Sequence, residues 1–134
     1  MTIKQLTAFA LALSLSMLAA QAQAGDVFVV VHSSLNLAEE DLKDVFVGDK
    51  QIAGGIKLVP MDNASVQKDF LEKVLKIDAA KYSNVWTKKG FRDGLSPPAI
   101  KSSDAEILSA VKSTPGAVGY VSRASADVKV IKKF

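Results

Sequence analysis

The chain has no cysteine and one histidine, His32. The first absence excludes a disulfide framework, a thiolate nucleophile and any cysteine-ligated zinc or iron–sulfur centre. The second excludes a multi-histidine metal site and the H-E-x-x-H protease helix. No G-x-S-x-G elbow, P-loop or G-x-G-x-x-G is present, and Gly48, Gly54 and Gly55 lack the Lys-Ser/Thr that a P-loop needs. The acidic residues are scattered, with no pair placed as general acid and base. The residues therefore point to a non-enzyme without metal or cofactor. Excess charge is scarce too. Beyond residue 24 there are 16 basic and 14 acidic residues, a surplus of +2, which is a poor footprint for nucleic acid.

Long apolar runs are missing except at the start. Lys4 precedes an apolar run from Leu6 to Ala20, and Ala20-Gln21-Ala22-Gln23-Ala24 follows it. The run falls short of the ~20 residues that span a bilayer comfortably. A basic start, a short apolar core and an A-x-A exit are the layout of a secretory signal peptide. The reading is a leader over residues 1–24 and one domain over 25–134, exported to the periplasm or medium, with no stable membrane span. Without disulfides, a domain of this size must build its core from regular secondary structure.

Val27 to Val31 is a continuous β-branched and aromatic run, as in a strand buried on both faces. Asn36 stands three residues before Glu39, a capping box for a helix whose buried side is Leu42, Val45 and Phe46 and whose stop is Gly48. Asp49 to Gly55 reads as a loop and Ile56 to Met61 as a strand. Two helices follow, one with Val66, Phe70, Val74 and Leu75 on its stripe, the next with Tyr82, Val85 and Trp86. Phe91 to Pro98 reads as a loop, and Ala99-Ile100 as a very short strand. Ser103 with Glu106 repeats the capping box before Ile107, Leu108 and Val111; Ala117 to Val121 and Val128 to Ile131 are the last strands. Strands alternating with amphipathic helices imply an α/β sheet with covered faces.

In such sheets ligands sit beyond the carboxyl ends of strands, beside helix starts. That directs attention to His32, Ser33, Asn63, Ser65 and Ser103, with Ser122 nearby in pattern. Hydroxyls and amides before a helix suit an oxyanion, and the same residue types are ordinary helix caps. Only convergence at one sheet edge separates the two readings. Lys88, Lys89, Arg92 and Lys101 form a basic group that either attracts anions or complements a helix dipole.

Three blocks then carry a resemblance. Leu35 to Gly48 resembles the "sLsleelrdiFlGk" segment of phosphate-type periplasmic substrate-binding proteins; Trp86, Phe91, Gly94 and Pro97-Pro98 resemble a signature of their small members; Thr114 to Val121 resembles their "TPGAIGYv" turn and strand. The resemblance implies one lobe of the type II periplasmic-binding superfamily: a central mostly parallel or mixed sheet flanked by helices. It also implies phosphate or a related oxyanion as ligand, delivered to an ABC transporter. Met61 to Gln67 takes the place of the family's R-S-D-G-S-G-T turn, with Met61 for the arginine and Ser65 keeping a hydroxyl. Since 110 residues supply one lobe, a transporter membrane component or a second copy of the chain is the expected partner. The alternative is an exported interaction or accessory module that keeps the lobe and has lost the ligand.

Overall fold

The computed structural model describes residues 25–134, so the expected leader lies outside the described residues. Strand β1 (Phe28–Val31) leads to a 3-10 turn (Glu39–Asp41) and α1 (Leu42–Phe46). A two-stranded hairpin, β2 (Ile52–Ala53) and β3 (Ile56–Lys57), precedes β4 (Val59–Asn63). Helix α2 (Gln67–Phe70) continues as a π turn (Leu71–Leu75), and α3 spans Ala79–Asp93. Then come β5 (Ala99–Lys101), α4 (Asp104–Ser113), β6 (Ala117–Val121) and β7 (Lys129–Lys133).

The main sheet has the order β5-β4-β6-β1-β7. Strand β4 runs parallel to both β5 and β6, whereas β1 is antiparallel to β6 and to β7. This is the α/β sheet that the alternating pattern implies, with the mixed strand directions that the resemblance allows. Both faces are covered, as the β1 run predicts: Val29 and Val31 face α1, α2 and α3, while Val30 joins Ile107 and Val111 of α4 on the other side. Phe46, Phe70 and Tyr120 knit the first face together. The Phe70 and Tyr120 rings stack at 3.7 Å, and Phe46 meets Phe70 edge-on at 4.7 Å.

Several expectations need correction. Asn36 caps no helix; its side-chain oxygen accepts a hydrogen bond from Lys129 (2.6 Å), and the first helical turn starts three residues later, behind Ala38. The Asp49–Gly55 stretch is not all loop, because Gly54 and Gly55 at positive φ turn the β2–β3 hairpin. Phe91 to Asp93 are helical rather than loop, and α3 ends only where Gly94 takes up φ 67° and donates to the Gly90 carbonyl.

Candidate functional site

The parallel pair β4–β5 carries the carboxyl edge where a ligand would sit. Asp62 lies opposite Ile100 in that pair, and its side chain enters the face covered by α3. There Tyr82 of α3 donates to Asp62 Oδ2 at 2.9 Å and Tyr120 of β6 donates to Oδ1 at 2.7 Å. Asp62 is 2% exposed. Burial, the strongest influence, raises its pKa against the opposing hydrogen bonds of Tyr120, Tyr82 and Gln67. Burial first, then the adjoining carboxylate, also drives both phenols far above the ordinary tyrosine value.

Above this carboxylate opens a cleft of about 460 Å³ between the start of α2, α3 and the Pro97-Pro98 turn. Asp62 and Tyr82 contribute to its lining. Gln67, Ser83 and Thr87 add an amide and two hydroxyls, and Trp86 and Ile100 add apolar wall. No lysine or arginine lines it. A solute here would be held by neutral donors around one acceptor. Trp86 is fixed in that wall because its indole N–H donates to the Phe46 carbonyl at 3.0 Å.

Beside the cleft, Asn63 is fully buried and all its polar atoms are engaged. Its amide donates to Asp104 Oδ1 (2.8 Å) and to the Tyr120 carbonyl (3.0 Å). Its Oδ1 accepts from the Ser65 N–H (3.0 Å) and hydroxyl (2.6 Å). Asp104, the first residue of α4, also accepts from the Ser122 hydroxyl (2.6 Å) and N–H. Partial burial pushes the Asp104 pKa up, but the hydrogen bonds from Ser122 and Asn63 outweigh it and hold the carboxyl below its usual range. Ser103 caps α4 by accepting from the Glu106 N–H at 3.3 Å. The Glu106 carboxylate turns to Ser102 instead of completing the box on Ser103.

Asn63, Ser65 and Ser122 are thus joined through Asp104 along one edge, and Ser103 neighbours them only along the chain, its side chain spent on capping α4. His32 and Ser33 do not join them. The His32 N–H donates to the Ala117 carbonyl at the opening of β6, whereas Asn63 binds the Tyr120 carbonyl near that strand's end. Antiparallel pairing of β1 with β6 reverses the end at which β1 finishes, so the expected convergence of all five residues fails at His32 and Ser33. His32 there shares a 2.8 Å hydrogen bond with the exposed Ser34 hydroxyl.

Sequence reasoning missed the roles of Asp62, Asp104 and Gln67. Only its place directly after Ser103 in the sequence points to Asp104. Nothing local ties Asp62 to Tyr120, which is 58 residues away. Among the described residues, no group of three or more His, Asp or Glu side chains is placed to hold a metal ion, and no helix is long and apolar enough to cross a membrane.

No protein-family model and no curated protein matches the chain. Solved structures do. The chain is similar to an ABC-type phosphate transport receptor from Vibrio cholerae, with a TM-score of 0.56 and 18% identity over 81% of this chain and 47% of that one. It is also similar to a protein from Clostridium perfringens described as a phosphate ABC transporter substrate-binding protein and solved with bound phosphate. There the TM-score is 0.60 and the identity 14%, over 83% of this chain and 46% of the other. At such identities the likeness defines a fold. The chain spans about half the length of these binding proteins.

Proposed function

We propose that the chain is an exported, non-enzymatic solute-binding lobe whose ligand is phosphate or a related small oxyanion. The observation that carries this reading is the cleft at the carboxyl edge of β4–β5, lined by Asp62, Gln67, Ser83 and Thr87, in a fold shared with phosphate-binding proteins. The Gln67 amide and the Ser83 hydroxyl donate to the oxyanion, whereas the Thr87 hydroxyl already donates to the Ser83 carbonyl at 3.0 Å. Ionised Asp62 accepts the proton that hydrogen phosphate carries at neutral pH and sulfate lacks. With no cation in the lining, affinity rests on hydrogen bonds and on excluding water, which one lobe does incompletely. A second copy of the chain, or the membrane component of an ABC transporter, would close the cleft from the open side.

Within this reading Asn63, Ser65 and Ser103 shape the edge on which the ligand rests, and residues 1–24 are the leader removed on export to the periplasm. Isothermal titration calorimetry of the purified protein with phosphate and with sulfate at low salt tests the proposal. Saturable one-to-one binding of phosphate, several-fold tighter than sulfate and weakened at least tenfold by Gln67→Ala, is the expected result. No heat from either anion with folded protein, or sulfate bound as tightly as phosphate, would overturn it.

A further inference from the structure

The opposite side of α3 carries a second feature, separate from the cleft. A groove of about 280 Å³ runs between the end of α1 and α3, floored by Val47, Ile77 and Val85. Five cations rim it: Lys43 from α1, and Lys81, Lys88, Lys89 and Arg92 from α3. Lys81, Val85, Lys88 and Arg92 follow helical spacing, so they share one stripe roughly 16 Å long at 1.5 Å per residue. The basic group seen in the sequence divides accordingly. Lys88, Lys89 and Arg92 join this rim, and Lys101 sits on β5 beside Glu106, at another hollow.

The rim is only partly neutralised from within, by Asp49, which also lines the groove, and by Asp93. Lys89 pairs with Asp49, and Arg92 reaches Asp93 at 3.9 Å. Among the described residues, Lys43, Lys81 and Lys88 have no ion-pair partner. On a chain whose overall surplus is so small, three uncompensated cations around one apolar floor are a local concentration of charge. Helix-dipole complementation does not account for it, because Lys81 stands in the first turn of α3, where a cation is disfavoured.

We infer that this groove docks an acidic segment of a partner protein, with an apolar side chain seated on Val47, Ile77 and Val85 and flanking Asp or Glu residues against the lysines. Charge complementarity sets the sign of the partner. Shape sets its class. Val47 and Ile77 are recessed, 8% and 9% exposed, beneath long cationic side chains. An apolar group must therefore come to them, whereas a bilayer is entered by protruding residues. Conversely, a polypeptide side chain flanked by carboxylates fills the floor and meets the rim together.

A fluorescein-labelled peptide with one leucine between pairs of glutamates, titrated into the protein at low salt and followed by anisotropy, tests this. Saturable binding is expected. It should weaken at least tenfold in Lys88→Glu and at least threefold when the peptide leucine becomes serine, and it should fade as salt is raised. Lys112→Glu, on α4 across the sheet, is the charge-matched control and should bind within twofold of wild type. Equal binding by Lys88→Glu and Lys112→Glu, indifference to the leucine, or no saturable binding overturns the inference. Capture by phosphatidylglycerol vesicles without peptide binding also overturns it, and would make the groove a membrane contact instead.

Discussion

Two carboxylates of opposite character organise the carboxyl edge. Asp62 is raised by burial, while Asp104 is held low by donors from Ser122 and Asn63. A carboxyl that protonates more readily folded than unfolded contributes stability that is full below its unfolded pKa and is lost as pH rises through the folded value. Wild type should therefore gain on Asp62→Asn as pH falls from neutral toward about 4, measured as the difference in Tm between the two proteins. A gap moving the other way would mean that the tyrosine hydrogen bonds outweigh burial. Asp104 carries the reverse sign: its contribution is present above its unfolded pKa and is lost as pH falls through the folded one.

Asn63 is a costly polar residue to remove. Asn63→Ala strands the buried Tyr120 carbonyl and takes a donor from Asp104, so a loss of about 2–4 kcal/mol is expected in urea unfolding. A change below about 0.5 kcal/mol would show that water replaces the amide. Lys76 stands at φ 59° after the π turn, a left-handed conformation that favours glycine. Lys76→Gly should raise stability by roughly 0.5–1 kcal/mol, and a lower Tm would contradict that. At this scale the sequence was least legible. It marks Asn63 and Ser65 as turn formers, but their partners lie on strands and helices tens of residues away.

Elements were more legible, since their signals are local. The β1 run, the buried stripes of α1, α3 and α4, and the proline-glycine stop before β6 are all periodic or punctuated patterns. The misreadings have local causes too. Strands of two residues show no alternation, so β2–β3 merges with its loop, and Phe91 continues α3 without adding to the buried face. Phe91 is 88% exposed. Gly116 shows why the turn before β6 admits so little change. Its φ is +84°, and a Cβ there would run into the Lys57 carbonyl oxygen of the hairpin. Gly116→Ala should cost at least about 2 kcal/mol through strain and displacement of β3; near-wild-type thermal stability would mean that the hairpin yields freely.

Across the whole molecule, strand direction decides what sequence order alone cannot. Alternating strands and helices imply a covered α/β sheet, which is found. A rule that places ligands at strand carboxyl ends picks one edge only when strands are parallel. Here β4, β5 and β6 obey it together, and antiparallel β1 carries His32 to the far side. The exposed surface is divided in the same way by α3, with the neutral-donor cleft on one flank and the cationic groove on the other. An oxyanion drawn by bulk charge would go to the groove, and one chosen by hydrogen bonding would go to the cleft.

Amide NMR of the protein titrated with phosphate decides between those outcomes most directly. The account predicts saturable shifts clustered at Gln67, Ser83, Thr87 and Ile100, with the His32–Ser33 turn and the Lys81–Arg92 stripe unmoved. Shifts centred on the lysine stripe or on His32, or no shift at all from a folded protein, would contradict it.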